Sequence, residues 1–254
     1  ETTIQTLDPE TVAAFIFEPV VGAAGGVVPA PDGYVEAIQA VCREYDVLLI
    51  ADEVMCGAGR CGTWRALEHE RLVPDIMCIA KGLAGGYIPL GATLVTQAVA
   101  APIHSEHGAF MTGHTFTGHT AACAAALAVQ RIVERDRLVE RVQDTGAQFQ
   151  ETLRRALDRF EEIGDVRGRG FFLGVELVRD RRTKAPFPSE RALSFDIGAR
   201  AFADGLICYP CSGNVDGTAG DTIILAPPYN AGDGELEEIV TKLVRAVDVA
   251  LSGA

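Results

Sequence analysis

No apolar run in this sequence of 254 residues approaches the length of a membrane span, and no basic segment leading into an apolar stretch opens it. Neither a membrane helix nor a secretory signal is expected, and the expected compartment is the cytosol. Basic residues are scarce beside acidic ones, 22 against 35, and they are scattered. A net charge of −13 argues against nucleic acid or an anionic membrane as partner and in favour of solubility. Metal-ligand spacing is missing too. Of seven cysteines only Cys208-Tyr209-Pro210-Cys211 shows a CxxC spacing, with no second pair or histidine cluster to complete a zinc set. No metal is expected. Cys42, Cys78 and Cys123 fall in apolar patterns typical of buried free thiols, while Cys56 and Cys61 flank a glycine loop. His114 and His119, in another glycine-bearing loop, read as loop or dimer-contact residues. There is no internal repeat and no low-complexity tract.

What is present is a chain with 48% hydrophobic residues, long enough to bury a sizeable core in more than one domain. Short apolar runs alternate with amphipathic stretches, the pattern of an α/β fold with a mostly parallel sheet and helices on both faces. Strands are expected over 12–17, 47–51, 76–80 and 92–96, with a glycine- and proline-rich loop over 22–31. A helix starts at Pro31-Asp32, with Val35, Ile38, Val41 and Tyr45 at helical spacing. Residues 104–118 read as a long loop, and 120–156 as one long helical stretch that turns charged near Glu134-Arg135-Asp136-Arg137. Beyond it the sequence predicts hairpin-like strands over 164–178, a helix over 189–204, strands near 206–208 and 222–225, and a last helix over 233–251.

Two apolar runs end in charge. Leu48-Leu49-Ile50-Ala51 leads into Asp52-Glu53, and Ile76-Met77-Cys78-Ile79-Ala80 leads into Lys81. In an open parallel sheet these groups fall at the carboxyl ends of strands, where such sheets bind ligands. An amine beside a carboxylate suits pyridoxal 5'-phosphate (PLP), which needs an amine to form a Schiff base and an anion to keep its ring nitrogen protonated. Lys81 would hold the aldehyde carbon and later move the substrate's proton, and Asp52 would face the ring nitrogen.

From about Val12 to its end the sequence resembles the class III, or ω-type, aminotransferases of PLP fold type I. The resemblance rests on ordered motifs: Phe17-Glu18-Pro19-Val20, Ile50-Ala51-Asp52-Glu53-Val54 continuing through Gly57-Ala58-Gly59-Arg60-Cys61-Gly62, Ala80-Lys81-Gly82 with Gly85-Gly86, Pro89-Leu90-Gly91-Ala92, and His114-Thr115-Phe116-Thr117-Gly118-His119. It implies that Lys81 is the Schiff-base lysine, Asp52 the ring-nitrogen partner and Val54 the apolar side chain under the ring. Thr115 resembles the threonine that reaches the cofactor phosphate of the neighbouring subunit, which implies a homodimer with shared active sites. The implied architecture is a partial cofactor-binding large domain over 1–135, then a linking helix and a smaller α+β C-terminal domain over 136–254.

The sequence departs from the family pattern at three places. Met55 stands where many members have glutamine, and Ile224, before Ala226-Pro227-Pro228, replaces the arginine that takes an α-carboxylate. Both changes favour an ω-amino acid or a plain amine as donor, with a 2-oxo acid such as pyruvate or 2-oxoglutarate as acceptor in a ping-pong cycle. The family's N-terminal portion, with its small-residue phosphate turn, has no counterpart, and the chain opens at Glu1-Thr2-Thr3-Ile4 without methionine. Either the chain is a fragment or a second polypeptide completes the site.

Glu18 is a candidate to bond a substrate amine or an arginine, with a strand-end turn as its plainer reading. Arg169 is a candidate for a substrate carboxylate, with Arg167 and Arg169 holding the hairpin as the plainer one. Trp64 and Arg65 read as part of a short packed helix. The same scaffold also hosts a dialkylglycine decarboxylase and a glutamate-semialdehyde aminomutase, although Cys56-Gly57-Ala58-Gly59-Arg60 favours the aminotransferases. A non-catalytic subunit that keeps the scaffold is the remaining alternative.

Overall fold

Alternating apolar runs and amphipathic stretches become, in the computed structural model, which describes residues 1–252, two compact units threaded by one chain. In chain order the elements begin with α1 (Thr2–Leu7), β1 (Ala14–Phe17), β2 (Val20–Val21), β3 (Val28–Pro29), α2 (Tyr34–Glu44) and β4 (Leu48–Asp52). Then come β5 (Ile76–Ile79), β6 (Ala92–Val95), α3 (Gln97–His107), α4 (Thr120–Arg135) and α5 (Leu138–Leu157). The chain closes with β7 (Ile163–Arg169), β8 (Phe172–Leu177), α6 (Leu193–Ala203), β9 (Tyr209–Ser212), β10 (Asp221–Leu225) and α7 (Asp233–Ser252). Among the described residues no helix is long and apolar enough to cross a membrane.

The first unit comprises Glu1–Pro19, Ala30–Gly59 and Thr63–Arg137. Its sheet runs β1-β4-β5-β6, with β1, β4 and β5 parallel and β6 antiparallel at one edge. Period-two alternation sorts the side chains of these strands. Leu49, Ala51, Met77 and Ile79 enter a core shared with Val35 and Cys42 of α2 and with Leu67 and Leu72. Each large aliphatic side chain so buried contributes about 1.5–3 kcal/mol. Leu48, Ile50, Asp52, Ile76 and Cys78 alternate with the core residues and are only half-buried.

Two helical segments differ from the sequence expectation. Residues 104–107 belong to α3, which continues past Pro102 and stops at Gly108 in a left-handed conformation, so only 108–119 is irregular. An internal proline and weak periodicity hide such a helix from pattern reading. The stretch 120–156 is not one helix but two, broken at Asp136-Arg137, where Arg137 has φ 51°.

The second unit gathers Val20–Pro29, Arg60–Gly62 and the chain from Leu138 onward. Its antiparallel sheet has the order β7-β8-β10-β9, and α5, α6 and α7 pack with it around Phe149, Leu153, Phe171, Leu173, Ile223 and Leu243. The expected glycine loop 22–31 is in part the short hairpin β2–β3, which lies along β7. Gly26, with φ 73°, seats this turn: a Cβ there would come 2.5 Å from Thr222 Oγ1, so only glycine allows the approach. The strand expected near 206–208 begins at Tyr209, because Gly205 turns the chain after α6 with φ 81° and β9 pairs with β10 through Tyr209–Ser212. The helix expected from Ser189 begins at Leu193, after a 3-10 turn over Ser189–Arg191.

At the start of α6, buried Ser194 donates both its backbone N–H (3.0 Å) and its hydroxyl (2.5 Å) to Oδ1 of buried Asp221 on β10. One carboxylate therefore caps a helix and joins it to the central strand. Asp221→Ala leaves both donors buried and unpaired and is expected to cost about 2 kcal/mol, roughly twice the cost of Ser194→Ala, read as a lower urea midpoint at unchanged slope.

Candidate active site

The parallel strands β1, β4 and β5 deliver three charged residues to the carboxyl end of one sheet. Phe17 pairs with Ala51, so Glu18 and Asp52 are each the next residue along neighbouring strands. Asp52 pairs in turn with Cys78 of β5, three residues before Lys81. The ladder runs one step further, since Glu53 N–H donates to Cys78 O at 2.8 Å. Lys81 opens a 3-10 turn, Lys81–Ala84, with φ 44°. This left-handed backbone is unusual for a residue with a side chain and is held by its surroundings. Packing of α4 on the turn supplies that hold: Gln130 Nε2 donates to Leu83 O at 2.9 Å, and Gln130 Oε1 accepts the Trp64 indole N–H at 3.1 Å. Trp64 thus precedes the short helix Ala66–Glu70 and braces the lysine turn.

Lysine is rare here, a signal that motif reading passed over. The chain has three, Lys81, Lys184 and Lys242, against 22 basic residues in all. Lys184 donates to Gly164 O, and Lys242 pairs with Glu238 at 2.8 Å. Among the described residues Lys81 alone of the three has no hydrogen bond or ion pair through its side chain. It is exposed and lines an open depression of about 720 Å³ with Gly86, Ile88, Pro89, Leu90 and Gly91.

Asp52 is half-buried, and its Oδ1 accepts the backbone N–H of Val54 at 3.0 Å. Its Oδ2 has no hydrogen-bond partner among the described residues, so one oxygen is available to a ligand donor. Val54 is itself half-buried in the turn that follows, beside Met55. An unpaired amine and an unpaired carboxylate oxygen at the ends of adjacent strands fit a group carrying both an electrophilic carbon and a protonated nitrogen.

Of the remaining predicted residues, Glu18 shares this carboxyl end, while Thr115 and Arg169 lie on other elements. Glu18 is half-buried just after β1. Thr115 is exposed in 108–119, near the exposed side chains of Met111 and Phe116 in sequence, and makes no hydrogen bond to Asp52 or Lys81. Arg169 belongs to the second unit, as the last residue of β7 opposite Phe172. Its neighbour Arg167 is the residue that grips the β2–β3 turn, donating to Gly26 O (3.0 Å) and Gly25 O (3.3 Å) and pairing with Glu176 at 3.2 Å.

Two residues without an assigned role in the sequence have defined partners. Glu53 is fully buried, and its carboxylate accepts the N–H groups of Ala66 (2.6 Å) and Leu67 (3.1 Å). Burial pushes its pKa up, against the lowering effect of those two N–H bonds. Arg60, in the second unit, donates to Phe171 O (3.2 Å) and Pro227 O (2.6 Å) and lies 4.6 Å above the Tyr229 ring. Burial lowers its pKa from the ordinary arginine value, and the same burial raises that of Tyr229.

All seven cysteines are free. Cys42, Cys56, Cys61 and Cys211 are buried, and burial pushes the Cys211 thiol up to about 11. Cys78 is half-buried, and Cys123 departs from the expectation of burial: it is exposed on α4, whose buried residues are Ala122, Ala126 and Val133. No group of three or more metal-ligating side chains occurs among the described residues.

The Aminotransferase class-III family profile matches residues 2–247. An aminotransferase of Gibberella zeae is 45% identical over 248 residues, covering 97% of this chain and 48% of its own length. A thermostable (S)-enantioselective omega-transaminase from Thermomicrobium roseum superposes with a TM-score of 0.91 at 40% identity, over 98% of this chain and 54% of that one. A PMP-bound aminotransferase from Vibrio fluvialis superposes with a TM-score of 0.90 at 33% identity, over 99% and 54%. The chain thus spans about half the length of the relatives it matches.

Arg60→Met keeps most of the side-chain volume but strands the Phe171 and Pro227 carbonyls. Its expected cost is about 2–3 kcal/mol, measured by urea denaturation.

Proposed function

Since the chain belongs to the class III aminotransferases, we propose that it acts in PLP-dependent transfer of an amino group from an ω-amino acid or plain amine to a 2-oxo acid. The observation that carries this reading is the placement of Asp52 at the end of β4 and of Lys81 just beyond the adjacent parallel β5, with no polar partner for the lysine and one free aspartate oxygen among the described residues. The cofactor assignment is also supported by the PMP-bound Vibrio fluvialis neighbour.

When bound, PLP supplies an aldehyde that condenses with amines and a protonated ring that withdraws electrons from the amine-bearing carbon. Lys81 Nζ is the amine that holds the cofactor and then carries the proton taken from that carbon, with the exposed depression giving substrate access. Asp52 holds a proton on the ring nitrogen through its free oxygen, while Val54 N–H fixes the other. The Val54 side chain, half-buried in the turn after β4, would supply an apolar contact to the ring. The first unit is then the cofactor domain and the second the small domain.

Substrate preference rests on what is missing. Ile224 is buried within β10, between Gly174 and Tyr209 in register, and offers no cation to an α-carboxylate. Met55 offers no side-chain amide. Glu18, level with Asp52 at the end of β1, is the residue we assign to the substrate's amine end. Thr115 serves the phosphate of a neighbouring subunit in a homodimer, a role consistent with its exposure in 108–119.

The test is a visible absorption spectrum of the purified chain with PLP, for wild type and Lys81→Ala, followed by ω-amines and then a 2-oxo acid. The reading expects a band that needs Lys81, bleaches with amine and returns with the oxo acid, and a fall in amine turnover of about 10²–10⁴-fold or more in Lys81→Ala. Absence of the band in wild type, or its persistence in Lys81→Ala, overturns it.

A further inference from the structure

Asp52 can serve a ring nitrogen only if its free oxygen is held in one direction, and among the described residues the one hydrogen bond its carboxylate accepts comes from the backbone two residues on. That bond exists only while the peptide between Glu53 and Val54 keeps its orientation. The intervening residue is pinned at every polar group it has. Glu53 N–H donates to Cys78 O (2.8 Å), Glu53 O accepts from Gly57 N–H (2.9 Å), and the side-chain oxygens take the Ala66 and Leu67 N–H groups separately. Gly57 closes against it so tightly that a Cβ there would lie 2.7 Å from Glu53 O and 2.9 Å from Oε2.

From this arrangement we infer that Glu53 is the positioning residue for Asp52: its buried carboxylate, tied to the start of the 66–70 turn, fixes the Asp52–Val54 bond and so selects the oxygen that Asp52 presents. The inference rests on Asp52 as the ligand-facing carboxylate. Burying a carboxylate costs several kcal/mol unless its oxygens are satisfied. No cation lies within salt-bridge distance of Glu53 among the described residues, and two backbone donors alone meet that need. A helix cap at the surface would perform the capping without this cost. The buried site is distinguished by its rigid link to the residue next to Asp52.

Hydrogen exchange at individual amides of the unliganded chain tests this directly, for wild type, Glu53→Gln and Glu53→Ala. Glutamine keeps the shape and one acceptor, so the variant chain retains its fold while turning an amide NH₂ toward one of the two donors. The expected result is Val54 exchange faster by about tenfold in Glu53→Gln and by more in Glu53→Ala, with the α2 amides of Val41 and Cys42 unchanged. PLP affinity, read from the Lys81-dependent band, should weaken in the same order. Equal acceleration at Val54 and in α2, or Val54 unchanged while the thermal midpoint falls, overturns the inference and leaves Glu53 as a helix cap. If wild type shows no Lys81-dependent band but the Val54 effect is present, the PLP reading fails while the placement of Asp52 by Glu53 stands.

Discussion

The parallel ladder β1-β4-β5 is the constraint on which the candidate site depends. A parallel pair aligns carboxyl ends, so residues that follow neighbouring strands are brought level by backbone hydrogen bonds alone. Glu18, Asp52 and Lys81 meet this condition because Phe17 pairs with Ala51 and Asp52 with Cys78. A one-residue slip of β4 would exchange Asp52 for Ala51 on its face and bury the charge in the Leu49–Met77 core. Apolar burial on one face thus fixes the chemistry on the other.

Around that ladder, the tightest contacts belong to residues that touch no ligand. Glu53 answers four backbone groups, Gln130 joins Trp64 to the lysine turn, and Gly57 leaves room for no side chain. In the second unit the same economy recurs with the opposite sign. Arg60 and Arg167 place guanidinium groups on main-chain carbonyls, Arg167 with Glu176 also beside it, and so organise loops. The short segments Val20–Pro29 and Arg60–Gly62 belong to the second unit because these contacts and the Gly26 turn hold them there.

Much of this was legible beforehand. The runs ending in Asp52 and Lys81 are short, apolar and bounded, and they form strands close to the expected limits, as does the hairpin β7–β8. Legibility failed where local pattern and tertiary packing disagree. The break between α4 and α5 needs Arg137 in a left-handed conformation that no periodicity announces, and α3 continues past a proline. Cys123 sits in an apolar run yet on the exposed side of its helix, because alanines on the other side make the close contacts.

Residue order by itself determined that an amine and a carboxylate end successive apolar strands, that arginine is absent at Ile224, and that the chain is similar to the class III aminotransferases over most of its length. These are statements about spacing and residue type, which alternation makes readable. Only the tertiary structure decided which oxygen of Asp52 is free and which of three lysines, Lys81, has no side-chain partner among the described residues, and that Glu53 and Arg60 are buried and satisfied by main-chain groups distant in sequence. Hydrogen bonds between residues 13 to 167 positions apart leave no local trace, so their donors and acceptors become visible only when the chain has closed on itself.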